Sequence, residues 1–392
     1  MNYTEEVLDA LRQEGDPLAD RVIAEIHATG VGGAVNGVLR QLMENDQPIP
    51  ENLPPLVREY LHITDNPPAW MDAARMARAN AFFESHGMHI SLVMSTAGMI
   101  ECYAARKAVK VLDFTHQLDH PQRRMAETAQ FCLHMMSPQA FAPNGKFIPA
   151  TQKVRLMHAA FRHLILQSGR WPLAELGVPI CQEDLLGALM LFSTEVLTGL
   201  ERLEVPATAQ EADDYYYVWR VVGEMMGIRP DIIPATLAEA QALNAVLRAR
   251  HFGPSPEGVR LTRSLLDMYD DLIPGELVDG IMPALVRIIT GDQIADWMGV
   301  PRNGWSWVAR GMMRFSAVLE ELQDDNHLVR GVLDKAEWAI VNGQFLVLNG
   351  RRKIHYDIPD ELRLAWKLDD PVAPITRCPY NHPAPALDAT KG

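Results

Sequence analysis

The stretch Thr151-Gln-Lys-Val-Arg-Leu-Met-His158-Ala-Ala-Phe-Arg-His-Leu-Ile-Leu-Gln167 decides how this chain is read. It follows Pro149 and stops before Ser168-Gly169, so the pattern predicts a helix over 151–167. Apolar residues from Val154 to Leu166 surround it on nearly every side, which marks a buried helix. Arg155, His158 and Arg162 nevertheless share one side of it, with an arginine one turn below and one turn above the imidazole. Burying guanidiniums is costly unless anions meet them. A buried ligand that carries carboxylates, with a metal for the histidine, would satisfy all three groups, and haem is such a ligand. The bland alternative is a satisfied core histidine with arginines paired to core carboxylates. Periodicity alone favours that alternative, because buried charge suggests function without proving it.

Around this helix lie 392 residues with a formal net charge of −14 and 48% hydrophobic content. That content supports a sizeable core, and the length suits one large domain or two modest ones. The acidic balance argues against a nucleic-acid partner, which would need a basic stripe. No apolar run reaches the ~20 residues of a membrane span; Leu185–Leu200 is broken by Ser193, Thr194 and Glu195. The acidic start, Met1-Asn-Tyr-Thr-Glu-Glu, does not resemble a signal peptide. With Cys102, Cys132, Cys181 and Cys378 far apart and unpaired in sequence, the expectation is a reducing, cytoplasmic setting.

In chain order, residues 4–14 and 17–29 read as short helices separated by Gly15-Asp16-Pro17. Gly30–Gly33 has no strand before it and reads as a helix–helix turn rather than a phosphate loop. Pro48, Pro50, Pro54, Pro55 and Asn66-Pro-Pro68 mark a linker. A helix from Ala69 to about Glu84 is expected to break at Gly87. His86 and His89 are weak metal-site candidates, and 90–105 is a small-residue, Met-rich segment. His116 and His120 fall before Pro121, in a loop entering a helix over 121–136. That helix aligns Arg124, Glu127, Thr128, Phe131 and Met135 on one side, by itself readable as a solvated edge. Gln182, Glu183 and Asp184 stand in the first turn of a long apolar helix, where capping is the default role. Further helical patterns follow at 211–226, 236–249, 256–271, 277–299, 304–322 and 329–343, with one short strand candidate at 344–348. The fold class is therefore all-α, with globin-like or bundle-type packing. Residues 1–68 form N-terminal helices and a Pro-rich linker, 69–345 the main helical domain, and 346–392 an extended tail.

Four segments in order resemble the rubber oxygenases, or latex-clearing proteins, and the wider haem-dependent oxygenase family that includes the oxygenase of mycophenolic acid biosynthesis. They are Arg155-Leu-Met-His158-Ala-Ala-Phe-Arg162, Arg124-Met-Ala-Glu-Thr128, Pro179-Ile-Cys-Gln-Glu-Asp-Leu-Leu-Gly187, and Tyr217-Val-Trp-Arg-Val-Val-Gly223 ahead of Gly227-Ile228. The resemblance covers roughly residues 70–310. It implies a haem b with His158 as metal ligand, Arg155 and Arg162 as supporting cofactor-binding residues, and Arg124 and Thr128 in the distal pocket. No CxxCH occurs, so the haem would be held without covalent attachment. The implied function is a haem-dependent oxygenase that activates O2 at the iron opposite His158. Two departures stand out. Glu127 occupies the position where rubber oxygenases carry a lysine before the distal threonine, and no counterpart of their proposed catalytic-base glutamate is evident. Without a secretion signal, an extracellular polymer is a poor substrate, and a small or medium apolar molecule fits better. The alternatives are peroxide-driven oxidation, with Arg124 and Glu127 as an acid–base pair, and a non-catalytic haem-binding or gas-sensing protein.

Overall fold

The computed structural model describes residues 2–115, 121–272 and 281–305. The described chain opens with α1 (Glu5–Leu11), α2 (Pro17–Thr29), α3 (Gly32–Gln41) and α4 (Pro55–Ile63). Next come α5 (Ala73–Val93), a π-helical turn (Met94–Gly98), α6 (Met99–Ala104), α7 (Ala108–Phe114), α8 (Pro121–Met135) and α9 (Phe147–Gln167). The remainder is α10 (Leu173–Leu176), α11 (Gln182–Phe192), α12 (Thr194–Arg202), α13 (Ala209–Met225), α14 (Leu237–His251), α15 (Pro256–Leu272), α16 (Ile281–Thr290) and α17 (Asp292–Trp297). Among the described residues there is no strand, only an isolated bridge between Ala105 and Phe252. The all-α expectation is met. All but the first two residues of the helical pattern expected at 304–322, the pattern at 329–343, the strand candidate at 344–348, the tail and the His116–His120 segment lie outside the described residues.

Three apolar clusters organise the packing. The largest joins α5, α8, α11, α12, α13 and α14 around Phe82, Met135, Leu186, Tyr215 and Trp219. A second joins α6, α15, α16 and α17 around Tyr103, Leu265 and Met298. The third joins α2, α3 and α4 to α9, through Val22, Ile26, Val57, Tyr60, Ala159 and Phe161. The N-terminal helices thus share a core with the helix that carries His158.

Local sequence explains most element ends. Asp16 caps α2 through Ala19 N–H, with Pro17 in the first turn, and Gly30 closes it in the left-handed conformation at φ 68°. The GVGG stretch is a helix–helix turn, as expected. Thr208 and Glu211 form a capping box on α13, and Thr236 and Glu239 do the same on α14.

Two boundaries differ from expectation. Helix α9 begins at Phe147 rather than Thr151, with Pro149 inside its first turn, where a missing N–H breaks no helical hydrogen bond. Asn45 substitutes for a local cap: its Oδ1 accepts from Ile148 N–H at 3.2 Å, and its Nδ2 donates to the Ala140 and Ala142 carbonyls. Helix α5 runs on to Val93, but it is kinked at His86, whose φ −119° and ψ 17° are non-helical, one residue before the expected break at Gly87. Its buried face packs on α13, and that burial outweighs the roughly 1 kcal/mol a mid-helix glycine costs. An ion-pair knot seals the contact: Arg75 and Arg78 both donate to the fully buried Asp214, at 2.7 Å and 2.6 Å.

The π-helical turn follows Val93, where α12 crosses closely. A Cβ placed on Gly199 would lie 2.4 Å from Val93 Cγ1. The Gly199→Ala protein should therefore be destabilised by about 1–3 kcal/mol through overpacking against a β-branched side chain. Urea unfolding checks this, and an unchanged midpoint would contradict the close crossing.

Candidate functional site

Helix α9 is held from both sides. On one side α2 packs along it, and the buried arginines meet their anions there. Arg155 binds Asp16 through Nε to Oδ2 and through Nη2 to Oδ1, the latter at 2.9 Å. Arg162, only 3% exposed, pairs with Asp20 at 3.3 Å, and its Nη1 donates to the His158 carbonyl at 3.4 Å. The expectation that a ligand's carboxylates meet both guanidiniums is thereby corrected: Arg155 is satisfied by a carboxylate of the chain itself. Arg162 is satisfied only in part, because its buried Nη2 has no hydrogen-bond acceptor among the described residues. Helix α4 adds a second hold, since Tyr60 donates to the Gln152 carbonyl at 2.8 Å and Gln152 Nε2 donates to the Leu61 carbonyl at 3.0 Å.

On the other side α8 packs against α9, with Phe131 and Phe147 in ring contact at 5.3 Å and Phe141 edge-on to Phe147 at 5.6 Å. Phe131 and the fully buried Met135 fix which face of α8 turns inward. Thr128 precedes them by three and seven residues, so helical spacing puts it on that face. Thr128, Glu127 and His158 are each half-buried. Arg124 stands in the first turn of α8. The structure therefore brings the two helices that bear all the sequence-predicted residues into one hairpin-like pair.

The His86 and His89 candidate is not joined by a third His, Cys, Asp or Glu among the described residues. His86 lies against Phe82 at 4.9 Å, and burial pushes the His89 imidazole down to about 4, which keeps it neutral. Among the described residues no group of three or more His, Cys, Asp and Glu side chains could hold a metal ion.

The run Cys181–Asp184 does more than cap. Cys181 and Asp184 form the capping box of α11. Gln182 is fully buried and donates to the Gly15 and Gly227 carbonyls at 2.7 Å and 2.9 Å, while accepting from Arg229 N–H. Glu183, also buried, meets Arg12, Arg250 and His251 at 3.2, 2.8 and 2.7 Å. Capping was the legible part; the ties between distant segments were not.

With this geometry in place, the comparisons are specific. The family model of the ER-bound oxygenase mpaB/B'/Rubber oxygenase catalytic domain matches residues 85–319, more than half of the chain. The chain belongs to this oxygenase family. A rubber oxygenase from Streptomyces sp. (strain K30) is 28% identical over 354 residues, covering 88% of this chain and 85% of the relative. A solved structure of latex clearing protein LCP in the closed state aligns with TM-score 0.72 at 25% identity, over 89% of this chain and 95% of that one. The all-α fold and the oxygenase class thus follow from independent observations. Among the described residues, no helix of this oxygenase is long and apolar enough to cross a membrane.

Sequence reasoning missed a second charged cluster inside the matched region. Glu101 of α6 and Glu195 of α12, both buried, approach one guanidinium nitrogen of Arg248 at 2.7 Å and 2.6 Å. Asn244 donates to Glu195, and Glu101 keeps one buried carboxyl oxygen without a hydrogen-bond partner among the described residues. Burial, aided by Glu195, pushes the Glu101 carboxyl up to about 8 against the pull of Arg248. The folded chain therefore holds this proton more tightly than the unfolded chain does. This contribution to stability is full below the ordinary value of 4.5 and is lost as pH rises towards about 8. Glu101→Gln should show a flatter Tm profile across that window than the parent protein. Parallel Tm profiles of the two proteins would contradict the assignment.

Proposed function

We propose that this oxygenase binds haem b through His158 and uses O2 to oxidise a small or medium apolar substrate. The observation that carries the reading is the buried Nη2 of Arg162, one turn beyond His158, which has no acceptor among the described residues. A propionate-bearing ligand would supply that acceptor. The donor chemistry fits: the imidazole of His158 would be the protein's ligand to an iron that the macrocycle otherwise holds. When bound, the haem would supply the iron chemistry that activates O2.

The chain's own residues have separable tasks. Neutral His158 would hold the cofactor from α9. Thr128, on the inward face of α8, and Arg124, one turn before it, would be the hydrogen-bond donors on the opposite side. Glu127 replaces the lysine that the resemblance leads one to expect, so this position offers no amine to the iron. A half-buried carboxylate there would take a proton from solvent and pass it on as a relay. The packed rings of Phe131, Phe141 and Phe147 make the junction of α8 and α9 apolar, in keeping with an apolar substrate.

Two variants separate these tasks. His158→Ala should lose the Soret band or most of its haem; full haem content with an unchanged spectrum would refute the ligand assignment. Arg124→Ala should keep haem but lose O2-dependent turnover by about 10²–10³-fold, the usual effect of removing one donor to developing negative charge. Parallel loss of haem and turnover in Arg124→Ala would make that residue structural instead.

A further inference from the structure

The family match begins at residue 85, yet the carboxylates that meet the arginines beside His158 come from α2, well before it. We infer that Asp16 and Asp20 are positioning residues for His158: through Arg155 and Arg162 they fix the helix that carries the imidazole and set the charge beside it.

Several independent features of this contact show that it is built rather than incidental. Both carboxylates sit at one-turn spacing on a single helix end, with Asp16 only 4% exposed at its side chain. Space for them is made by missing side chains. A Cβ on Gly15 would lie 2.6 Å from Arg162 Nε and 2.7 Å from Asp20 Oδ2. A Cβ on Gly227, whose φ is +90°, would lie 2.5 Å from Asp16 Oδ2 and 2.7 Å from Arg155 Nε. Buried Gln182 then ties those two glycines together by donating to both carbonyls. The chain from α11 and the turn after α13 thus clamp the two ion pairs. The link to the imidazole is direct on one side, where Arg162 Nη1 donates to the His158 carbonyl.

Electrostatics gives the inference its sign. Each pair brings one positive and one negative charge close to the candidate iron ligand, in surroundings where charge is poorly screened. Neutralising one carboxylate leaves a buried guanidinium uncompensated, which favours the more reduced, less positive iron. Neutralising both members of a pair restores the balance. A purely structural contact would not produce this reversal.

The inference rests on the haem reading for its electrochemical part, so the test has two arms. In the haem-free full-length protein, hydrogen exchange is followed on the amides of residues 155–162 in Asp16→Asn and Asp20→Asn. Asparagine still caps a helix well, so α2 should form in the first variant. Exchange across those amides is expected to quicken by tenfold or more, while α13 amides keep their parent rates. In the haem-loaded protein, the midpoint potential is measured for Asp16→Asn and for Asp16→Asn combined with Arg155→Gln. The single variant should shift upward and the paired variant should return towards the parent value. Parent-like exchange in both single variants would overturn the positioning role. Potentials that shift alike in single and paired variants would overturn the charge role. If Asp16→Asn fails to fold, Asp20→Asn and the charge-balanced pair Asp20→Asn with Arg162→Gln carry both arms. If the parent protein takes up no haem, the haem reading fails, and the exchange arm still decides whether α2 positions α9.

Discussion

The structure turns on the need to neutralise Arg155 and Arg162 inside an apolar helix. Removing the partner of a buried charge typically costs about 3–5 kcal/mol, a large fraction of the stability of a whole domain. Asp16 and Asp20 meet that need, and in doing so they dock α2 on α9. The third apolar cluster closes around the contact, so the N-terminal helices form one core with the candidate ligand helix. Further ties depend on the same arrangement: Gln182 bridges the adjoining turns, Arg12 joins α1 to Glu183 and Asp184, and Asn45 caps α9 from a distant loop.

This frame leaves α8 as the opposing wall. Its C-terminal half is locked to α9 by aromatic contacts, while its first turns bear Arg124, Glu127 and Thr128. On the proposed reading the two helices would divide the labour: α9, tied to α2 and α4, would carry the ligand, and α8 would offer donors. The buried Glu101–Glu195–Arg248 cluster lies at another junction, where α6, α12 and α14 meet and where the first two apolar clusters adjoin. There a single cation serves two buried carboxylates, and burial, with Glu195 beside it, pushes the Glu101 carboxyl up to about 8.

How much was legible in the sequence depended on the range of the interaction. Local patterns were clear: the apolar period of α9, the Asp16-Pro17 start of α2 and the turn at Gly30 all specify their own structure within a few residues. The arginines and His158 were found because three and four residue offsets share a helix face. What the offsets could not show was the identity of the anions, since Asp16 and Asp20 lie 139 and 142 positions away in the chain, from 155 − 16 and 162 − 20. Asp16 carried a faint signal, as a carboxylate recurring one turn later at Asp20. Gly87 marked the kink at His86 to within one residue, but tertiary burial of α5 carries the helix on past it to Val93. The Glu101 cluster was invisible, as its members are scattered over three helices and none stands in a motif.

The most direct test of the central claim is an absorption spectrum of the purified full-length protein, produced with ample haem supply, in oxidised, dithionite-reduced and carbon monoxide-treated forms. A haem held by His158 predicts about one b-type haem per chain and a Soret band that moves on reduction and again with carbon monoxide. A haem-free protein that also fails to take up haem on reconstitution would contradict it.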